Sequence, residues 1–147
     1  MRIATSGSKV DISKESLTAN FARKFSKILK LGDVILLYGD IGAGKTTFVR
    51  YLINSLEKQK KIKLSEITSP TFSILNEYEV KDLTIKHYDF FRIKKTAEIK
   101  NIGLYDNPGK YVSFIEWPEK VKSKFKIKYN LFFRYNSKSG KRLIEFK

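Results

Sequence analysis

Residues 34–50 read VILLYGDIGAGKTTFVR, and residues 39–46 within this stretch fit the pattern G-x-x-x-x-G-K-[ST] of a phosphate-binding loop. Glycines let such a loop curl so that its backbone amides point inward and hold phosphate oxygens, together with the positive end of the following helix. An apolar strand pattern leads into the loop, and an amphipathic helix pattern leads out of it. This arrangement predicts a nucleotide site between a buried parallel strand and a helix.

Two side chains of the loop have predicted tasks. Lys45 places a compact positive charge on the β and γ phosphates, and Thr46 offers its hydroxyl to Mg²⁺. The loop residues expected to contact the nucleotide are Gly39, Asp40, Ile41, Gly42, Ala43, Gly44, Lys45 and Thr46.

The flanking sequence predicts alternating helices and strands. Apolar residues at helical spacing predict a helix over residues 14–30, with Ser13 as its N-cap, and a second helix over residues 46–60. Strands are predicted over residues 34–38, 71–80, 83–93 and 111–117, a short helix over 96–104, and a C-terminal hairpin from 126–136 and 141–147. We expect one α/β domain, residues 1–147, of the P-loop NTPase-like three-layer type. Its central sheet should be mainly parallel, with antiparallel edge strands, an edge hairpin and the loop at the carboxyl edge.

Composition narrows the classes of function. The 147 residues contain no cysteine, which excludes a disulfide framework, a thiolate zinc site and a cysteine nucleophile. The first residues lack the continuous apolar core of a signal peptide, so we expect a cytoplasmic location. The net charge of +15 comes mostly from dispersed lysines. It leaves open an RNA-contacting surface, contact with an acidic protein, and simple solvation of lysine-rich faces.

The rest of the chain favours an ATPase over other phosphate-loop proteins. A GTPase needs a guanine-reading [NT]-K-x-D late in the chain, whereas the nearest string, SKVD at residues 8–11, precedes the loop. A small-molecule kinase of this type usually has an arginine-rich lid, and no segment here is long enough for one. A compact ATPase remains, and it needs carboxylates near the metal and the γ phosphate.

Two carboxylates stand where such a group is needed. Glu116 ends the apolar run YVSFIE, and Asp89 lies in HYDFF, inside or at the end of a predicted strand. An acid at the end of a hydrophobic strand can hold Mg²⁺, directly or through water, or polarise the attacking water. From spacing alone, Glu116 could equally be an acid that reaches solvent as its strand ends. Asp89 could equally lie on an exposed strand face or pair with Arg92.

Three further features need an interpretation. Ser69, Pro70 and Thr71 belong to TSPTF, which is either an ordinary turn or a segment that orders when a γ phosphate is present. His87 is the sole histidine, and we expect it to pack or hydrogen-bond rather than to catalyse. Trp117 is either a core residue or a cover for the nucleotide site.

The ordered combination of LYGDIGAGKTTFVR, SPTF, HYDFFRI and IEWPE resembles the TsaE family, also called YjeE or YdiB, over nearly the whole chain as far as Glu119. Many families share the phosphate loop, whereas the other three motifs in this order are far more specific. The resemblance implies a small ATPase of bacterial tRNA modification that uses ATP and Mg²⁺ and is weak alone. It implies binding to the TsaB–TsaD assembly, where ATP hydrolysis permits repeated formation of threonylcarbamoyladenosine in tRNAs that read codons beginning with A.

The resemblance also assigns roles by position. Glu116 becomes a metal-side ligand beside Thr46, and Asp89 becomes an acid close to the γ phosphate. The remaining positions are Thr47 beside the α phosphate, Thr18 near the adenine, Trp117 at the edge of the site, and residues 69–71 in a switch-like segment. Which of the two acids orients the attacking water stays open, as does direct contact between the basic surface and tRNA.

Two other function classes stay open. A small-molecule kinase would transfer the γ phosphate to an acceptor and would release ADP in an acceptor-dependent way. A nucleotide-gated binding module would hydrolyse ATP only incidentally, so that Glu116→Ala would still support tRNA modification. For the ATPase, we expect a partner to complete the site, because the sequence contains no obvious arginine finger or water-orienting glutamine.

Overall fold

The computed structural model describes residues 7–121 and 129–147, which form a seven-stranded sheet with helices on both faces. The elements are β1 (Lys9–Asp11), α1 (Glu15–Ser26), β2 (Val34–Tyr38), α2 (Lys45–Gln59), β3 (Leu75–Val80), β4 (Leu83–Asp89), α3 (Thr96–Asn101), β5 (Tyr111–Glu116), β6 (Tyr129–Asn136) and β7 (Lys141–Phe146). Short 3-10 turns at Pro108–Lys110 and Pro118–Lys120 flank β5. Within the described ranges, no helix is both long enough and apolar enough to cross a membrane.

The strand order is β1-β7-β6-β2-β5-β4-β3. The four central strands, β6, β2, β5 and β4, run parallel, while β3, β7 and β1 pair antiparallel with their neighbours. The predicted mainly parallel sheet with antiparallel edge strands is therefore confirmed. The C-terminal hairpin lies further inside the sheet than expected, because β6 pairs with β2 and β1 pairs outside β7. Residues 126–128 of the predicted hairpin and residues 1–6 of the N-terminal segment lie outside the described residues.

Strand β2 is buried on both faces, which explains its wholly apolar sequence. Ile35 and Leu37 pack into the core under α1 and α2, whereas Val34 and Leu36 pack into the core on the α3 face. On the first face, the ring centre of Phe48 in α2 lies 5.6–5.8 Å from those of several other phenylalanines. This packing holds α2 against α1 and β6, and the loop, which leads from the end of β2 into α2, lies at the carboxyl end of the parallel strands.

Helix α1 is shorter than predicted at both ends. The Ser13 hydroxyl donates to Asp11 Oδ1 at 2.6 Å instead of capping the helix, which begins at Glu15. At the other end, the Lys30 amide donates to Asp33 Oδ2 at 2.9 Å, after the helix has stopped at Ser26. Strand β1 was not predicted, because three residues are too few to show a strand periodicity.

Strands β3 and β4 are also shorter than predicted. The start of β3 and the end of β4 lie next to each other, beside Asp89. Strand β3 begins at Leu75, because residues 70–74 fold into a turn in which the Ile74 amide donates to the Pro70 carbonyl at 2.6 Å. Strand β4 ends at Asp89, whose Oδ1 accepts the Phe91 amide at 2.9 Å. The turn and the strand end are joined, since the Asp89 amide donates to the Ile74 carbonyl at 2.9 Å.

Gly39 is the position where the loop passes closest to β6. Its φ is +143°, and a Cβ there would lie 2.6 Å from the carbonyl oxygen of Phe133. Gly140, in the turn between β6 and β7, also has a positive φ, of +74°, but a Cβ there would meet nothing within 4 Å.

We expect Gly140→Ala to lower the free energy of unfolding by about 1 kcal/mol, which is the conformational cost alone. Gly39→Ala should lower it by about 3 kcal/mol, because the β6 backbone must also move.

Urea denaturation of the two variants beside the wild type measures both values. Equal losses at the two positions would contradict the close approach of the loop to β6.

Candidate nucleotide-binding site

A cleft of about 600 Å³ opens at the carboxyl ends of β2, β4 and β5. Among the residues predicted from sequence, those that line it are Thr18, Ile41, Gly42, Gly44, Lys45, Thr46, Thr47, Ser69, Thr71, Asp89, Glu116 and Trp117. Gly39, Asp40 and Ala43 line a smaller cavity of about 350 Å³ beside β6, and Pro70 is buried. The carboxyl ends of neighbouring parallel strands meet at one edge of a sheet, which is why residues far apart in sequence converge in this cleft.

Lys45 is the first residue of α2 and is only 5% exposed. Its ammonium donates to the Gly39 carbonyl at 2.5 Å and lies 4.0 Å from the centre of the Trp117 ring. Burial lowers the pKa of Lys45, while the charges of Glu116 and Asp89 oppose that change. The cleft thus holds a desolvated cation that an anionic ligand would stabilise.

Glu116 is buried at the end of β5 and does not simply project into solvent. Thr46 Oγ1 donates to Glu116 Oε2 at 3.0 Å, and His87 Nε2 lies 2.6 Å from the same oxygen. Within the described ranges, no cluster of three or more His, Cys, Asp or Glu side chains forms a complete metal cage. Mg²⁺ binds commonly through one or two protein oxygens, phosphates and waters, so the Thr46 and Glu116 oxygens fit this ion.

Asp89 is buried beside Glu116, since β4 and β5 pair these two residues in register. The Thr71 hydroxyl donates to Asp89 Oδ2 at 3.1 Å and lies 2.8 Å from the Ser69 hydroxyl. The TSPTF segment is therefore a turn whose hydroxyls lie against a carboxylate of the cleft. Arg92 is not the neighbour of Asp89 that the sequence allowed, because its guanidinium lies over the Phe72 ring, 5.1 Å from the ring centre.

Trp117 forms part of the cleft wall directly after Glu116. Its φ is +55°, in the left-handed region, so the chain turns sharply where β5 ends. The indole packs against Phe91, with ring centres 4.9 Å apart, and against the core on the α3 face. Trp117 therefore borders the core and also lines the cleft, and its role as a cover for the nucleotide stays a prediction.

Arg142 is the main cleft residue that the sequence analysis missed. It lies on β7, its guanidinium is 4.0 Å from the centre of the Tyr135 ring, and Nη2 is 3.5 Å from the Gly42 carbonyl. The Arg142 amide donates to the Ser13 hydroxyl at 3.0 Å, which ties β7 to the segment before α1. No local sequence signal could have placed Arg142 here, because its position depends on the long-range pairing of β1, β7 and β6. The other missed cleft residues are Ile12, Ser13, Glu15 and Phe91.

Comparison with known proteins matches this chain to one family. Residues 12–144 match the model of a family described as Threonylcarbamoyl adenosine biosynthesis protein TsaE. The tRNA threonylcarbamoyladenosine biosynthesis protein TsaE of Rickettsia typhi is 40% identical over 111 residues, covering 76% of this chain and 74% of that protein. The protein of the same name from Aquifex aeolicus is 33% identical over 114 residues, covering 78% of this chain and 79% of its own. The one from Haemophilus influenzae is 32% identical over 116 residues, covering 74% and 70%.

Among solved structures, the crystal structure of YdiB from Bacillus subtilis superposes with a TM-score of 0.74. The match covers 99% of this chain and 87% of that one at 24% sequence identity. The similarity concerns the fold, which is P-loop NTPase-like, as the sequence predicted.

Proposed function

The chain belongs to the TsaE family of threonylcarbamoyladenosine biosynthesis in tRNA, and on that premise we propose that it is the ATP-hydrolysing component of this pathway. The observation that carries the ATPase proposal is the convergence of Lys45, Thr46, Asp89 and Glu116 in one cleft beside a phosphate loop. Phosphoryl transfer to water requires a cation, a metal-binding hydroxyl and carboxylates, and here the first two lie at the start of α2 and the two carboxylates at the ends of β4 and β5.

The phosphates of ATP would be bound first by backbone and charge. The amides of the loop and of the N-terminal end of α2 would donate hydrogen bonds to the phosphate oxygens, and Lys45 would neutralise charge on the β and γ groups. Its ammonium would exchange the Gly39 carbonyl for phosphate oxygens. Thr18 and Arg142 line the same cleft and would contact the nucleoside and the outer phosphates.

Thr46 Oγ1 and the Glu116 carboxylate would hold Mg²⁺. When bound, this ion neutralises the charge that develops on the β and γ phosphate oxygens. Glu116 reaches this position because β5 ends beside the loop, and Thr46 because it lies in the first turn of α2.

Asp89 is our candidate for orienting the attacking water. Glu116 is bonded to Thr46 and His87, whereas Asp89 lies next to it and accepts the hydroxyl of Thr71 from the switch-like segment. The water oxygen forms a bond to the γ phosphorus as the bond from that phosphorus to the β–γ bridging oxygen breaks. The products are ADP and inorganic phosphate, and the water proton passes to solvent or to phosphate oxygen.

We propose that TsaB and TsaD are the partners that complete the site, and that tRNA contact is indirect. The physical support is the exposure of Ser69 in the switch-like segment and of Phe72 directly after it, which is 83% exposed. A partner that covers this segment could reposition Thr71 and with it Asp89. Because the modified molecule is tRNA, we propose that the protein works in the cytoplasm.

The decisive experiment measures ATP hydrolysis by the purified protein, alone and with TsaB and TsaD. We expect weak hydrolysis alone and stimulation of about tenfold or more in the complex, because completing a phosphoryl-transfer site supplies large rate factors. The stimulation should disappear with Lys45→Met in an otherwise identical complex. ATP binding without any stimulation would contradict this function, and acceptor-dependent release of ADP would support a kinase instead.

A further inference from the structure

We propose that His87 is a positioning residue whose Nε2–H holds the Glu116 carboxylate in the orientation that serves Mg²⁺ together with Thr46. The proposal rests on the function proposed above and assigns a task to the one histidine of the chain. It is carried by the geometry of β4 and β5, by burial, and by an unpartnered ring nitrogen.

The register of β4 and β5 places His87 within hydrogen-bonding reach of Glu116. Side chains alternate along a strand, so His87 and Asp89 both face α2, whereas Tyr88 between them packs on the α3 face. The register pairs His87 with Phe114, and Glu116 lies two residues further along β5. The imidazole therefore reaches diagonally across the two strands, and its Nε2 comes within 2.6 Å of Glu116 Oε2.

The donor role of Nε2 in this bond follows from the chemistry of its partner. A carboxylate oxygen only accepts hydrogen bonds, so the nitrogen that faces Glu116 carries the hydrogen. The side chain of His87 is fully buried and that of Glu116 is 4% exposed. Most of this bond is therefore shielded from solvent.

The second ring nitrogen argues against a packing role alone. Among the described residues, His87 Nδ1 is buried and has no hydrogen-bond partner. A buried polar atom without a partner costs stability, and an apolar side chain of similar size would fill the same space without that cost. Within residues 7–121 and 129–147, the one hydrogen bond of the ring goes to the candidate metal ligand Glu116. This pattern is expected of a residue that is kept for the site rather than for the core.

The two hydrogen bonds to Glu116 come from different parts of the fold, which explains why a second donor in the sheet helps to hold the carboxylate in place. Thr46 donates to Glu116 Oε2 from the start of α2, within the element that would contact nucleotide. His87 donates to the same oxygen from a strand in the interior of the sheet. A restraint from the sheet persists while the loop and its ligands exchange, and such outer partners of metal ligands typically contribute 10–100-fold to metal affinity.

Three substitutions at position 87 test the proposal, with ATP as the probe and the fluorescence of Trp117 as the readout. Trp117 is the only tryptophan, and the centre of its ring lies 4.0 Å from Lys45 Nζ. Its fluorescence emission should therefore report nucleotide in the cleft. His87→Gln can place an amide N–H near the position of Nε2, His87→Asn is too short to do so, and His87→Leu has no donor. Each variant is titrated with ATP in excess Mg²⁺ and again in EDTA.

We expect His87→Leu and His87→Asn to weaken ATP binding about tenfold or more in Mg²⁺, and to change it by less than about twofold in EDTA. His87→Gln should bind within about threefold of the wild type in both buffers. This pattern would separate metal positioning from packing, because a packing defect acts in both buffers alike.

Equal weakening in Mg²⁺ and in EDTA, or three variants that all bind like the wild type, would overturn the role of His87. If His87→Leu does not fold, the comparison of Gln with Asn decides, and equal binding by these two overturns the proposal. A wild-type protein that does not bind ATP in either buffer would contradict the proposed function itself, and the role of His87 with it.

Discussion

Lys45→Met is expected to lower kcat/KM for ATP hydrolysis by about 10³-fold, measured in the complete complex with TsaB and TsaD. The ammonium lies in a buried cleft, where a charge that faces phosphate oxygens is stabilising far beyond its value in water. Removing one preorganised group of this kind typically costs 10²–10³ in rate, and Lys45 would also contribute to ground-state binding. Methionine retains the length of the stem and removes the ammonium group, with its charge and its hydrogen-bond donors.

The same substitution should leave the ligand-free protein as stable as the wild type, or more so. Burial lowers the pKa of Lys45, so the charged form is disfavoured in the folded state relative to the unfolded chain. This cost is fully present at pH values below the folded pKa and disappears as the pH rises through the ordinary value of 10.5. Thermal unfolding should therefore show that ATP stabilises the wild type but not Lys45→Met, without a loss of stability in the absence of ATP.

Lys86→Met is the matched control for Lys45→Met. The Lys86 ammonium also lies over an aromatic ring, 3.8 Å from the centre of Tyr111, but outside the residues that line the cleft. We expect its hydrolysis rate to stay within about twofold of the wild type, because the contacts of Lys86 are with Tyr111 and Glu77, which lie outside the cleft. If Lys45→Met and Lys86→Met lose equal activity, or if Lys45→Met retains stabilisation by ATP, the role given to Lys45 is incorrect.

Glu116→Gln should lower the rate of ATP hydrolysis by about 10²–10³-fold while the protein still folds and binds ATP. Glutamine has the same shape, and its amide oxygen can accept the hydrogen bonds that Thr46 and His87 now make to Glu116 Oε2. What is lost is the negative charge at the candidate metal position. Nucleotide binding should therefore become nearly the same in Mg²⁺ and in EDTA.

Glu79→Gln makes the same change of charge at an exposed position on β3, where the side chain bonds Thr84 rather than a cleft residue. It should leave hydrolysis unchanged. The formation of threonylcarbamoyladenosine in tRNA is the second readout for Glu116→Gln. If this variant hydrolyses no ATP and yet supports normal tRNA modification, the protein is a nucleotide-gated binding module rather than an ATPase of the pathway.

Part of the fold and part of the site could be predicted because they depend on residue types at short spacings in the sequence. The apolar run of β2, the loop at residues 39–46 and the spacing of α2 each carry a short-range signal, and all three lie where the sequence places them. Glu116 and Asp89 were identified because an acid at the end of an apolar strand is conspicuous. Their burial and their register as neighbours depend on β4 pairing with β5, which the alternation of apolar residues along each strand does not specify.

By itself, the sequence determined the phosphate loop, the α/β class and the family, because these depend on residue types at fixed short spacings. Only the tertiary structure decided that His87 and Thr46 meet on one oxygen of Glu116, that the TSPTF turn lies against Asp89, and that Arg142 reaches the cleft. These contacts join residues that are 18 to 100 positions apart in the chain. Such contacts form through the order and register of the strands, and strand order results from the packing of the whole sheet against its helices.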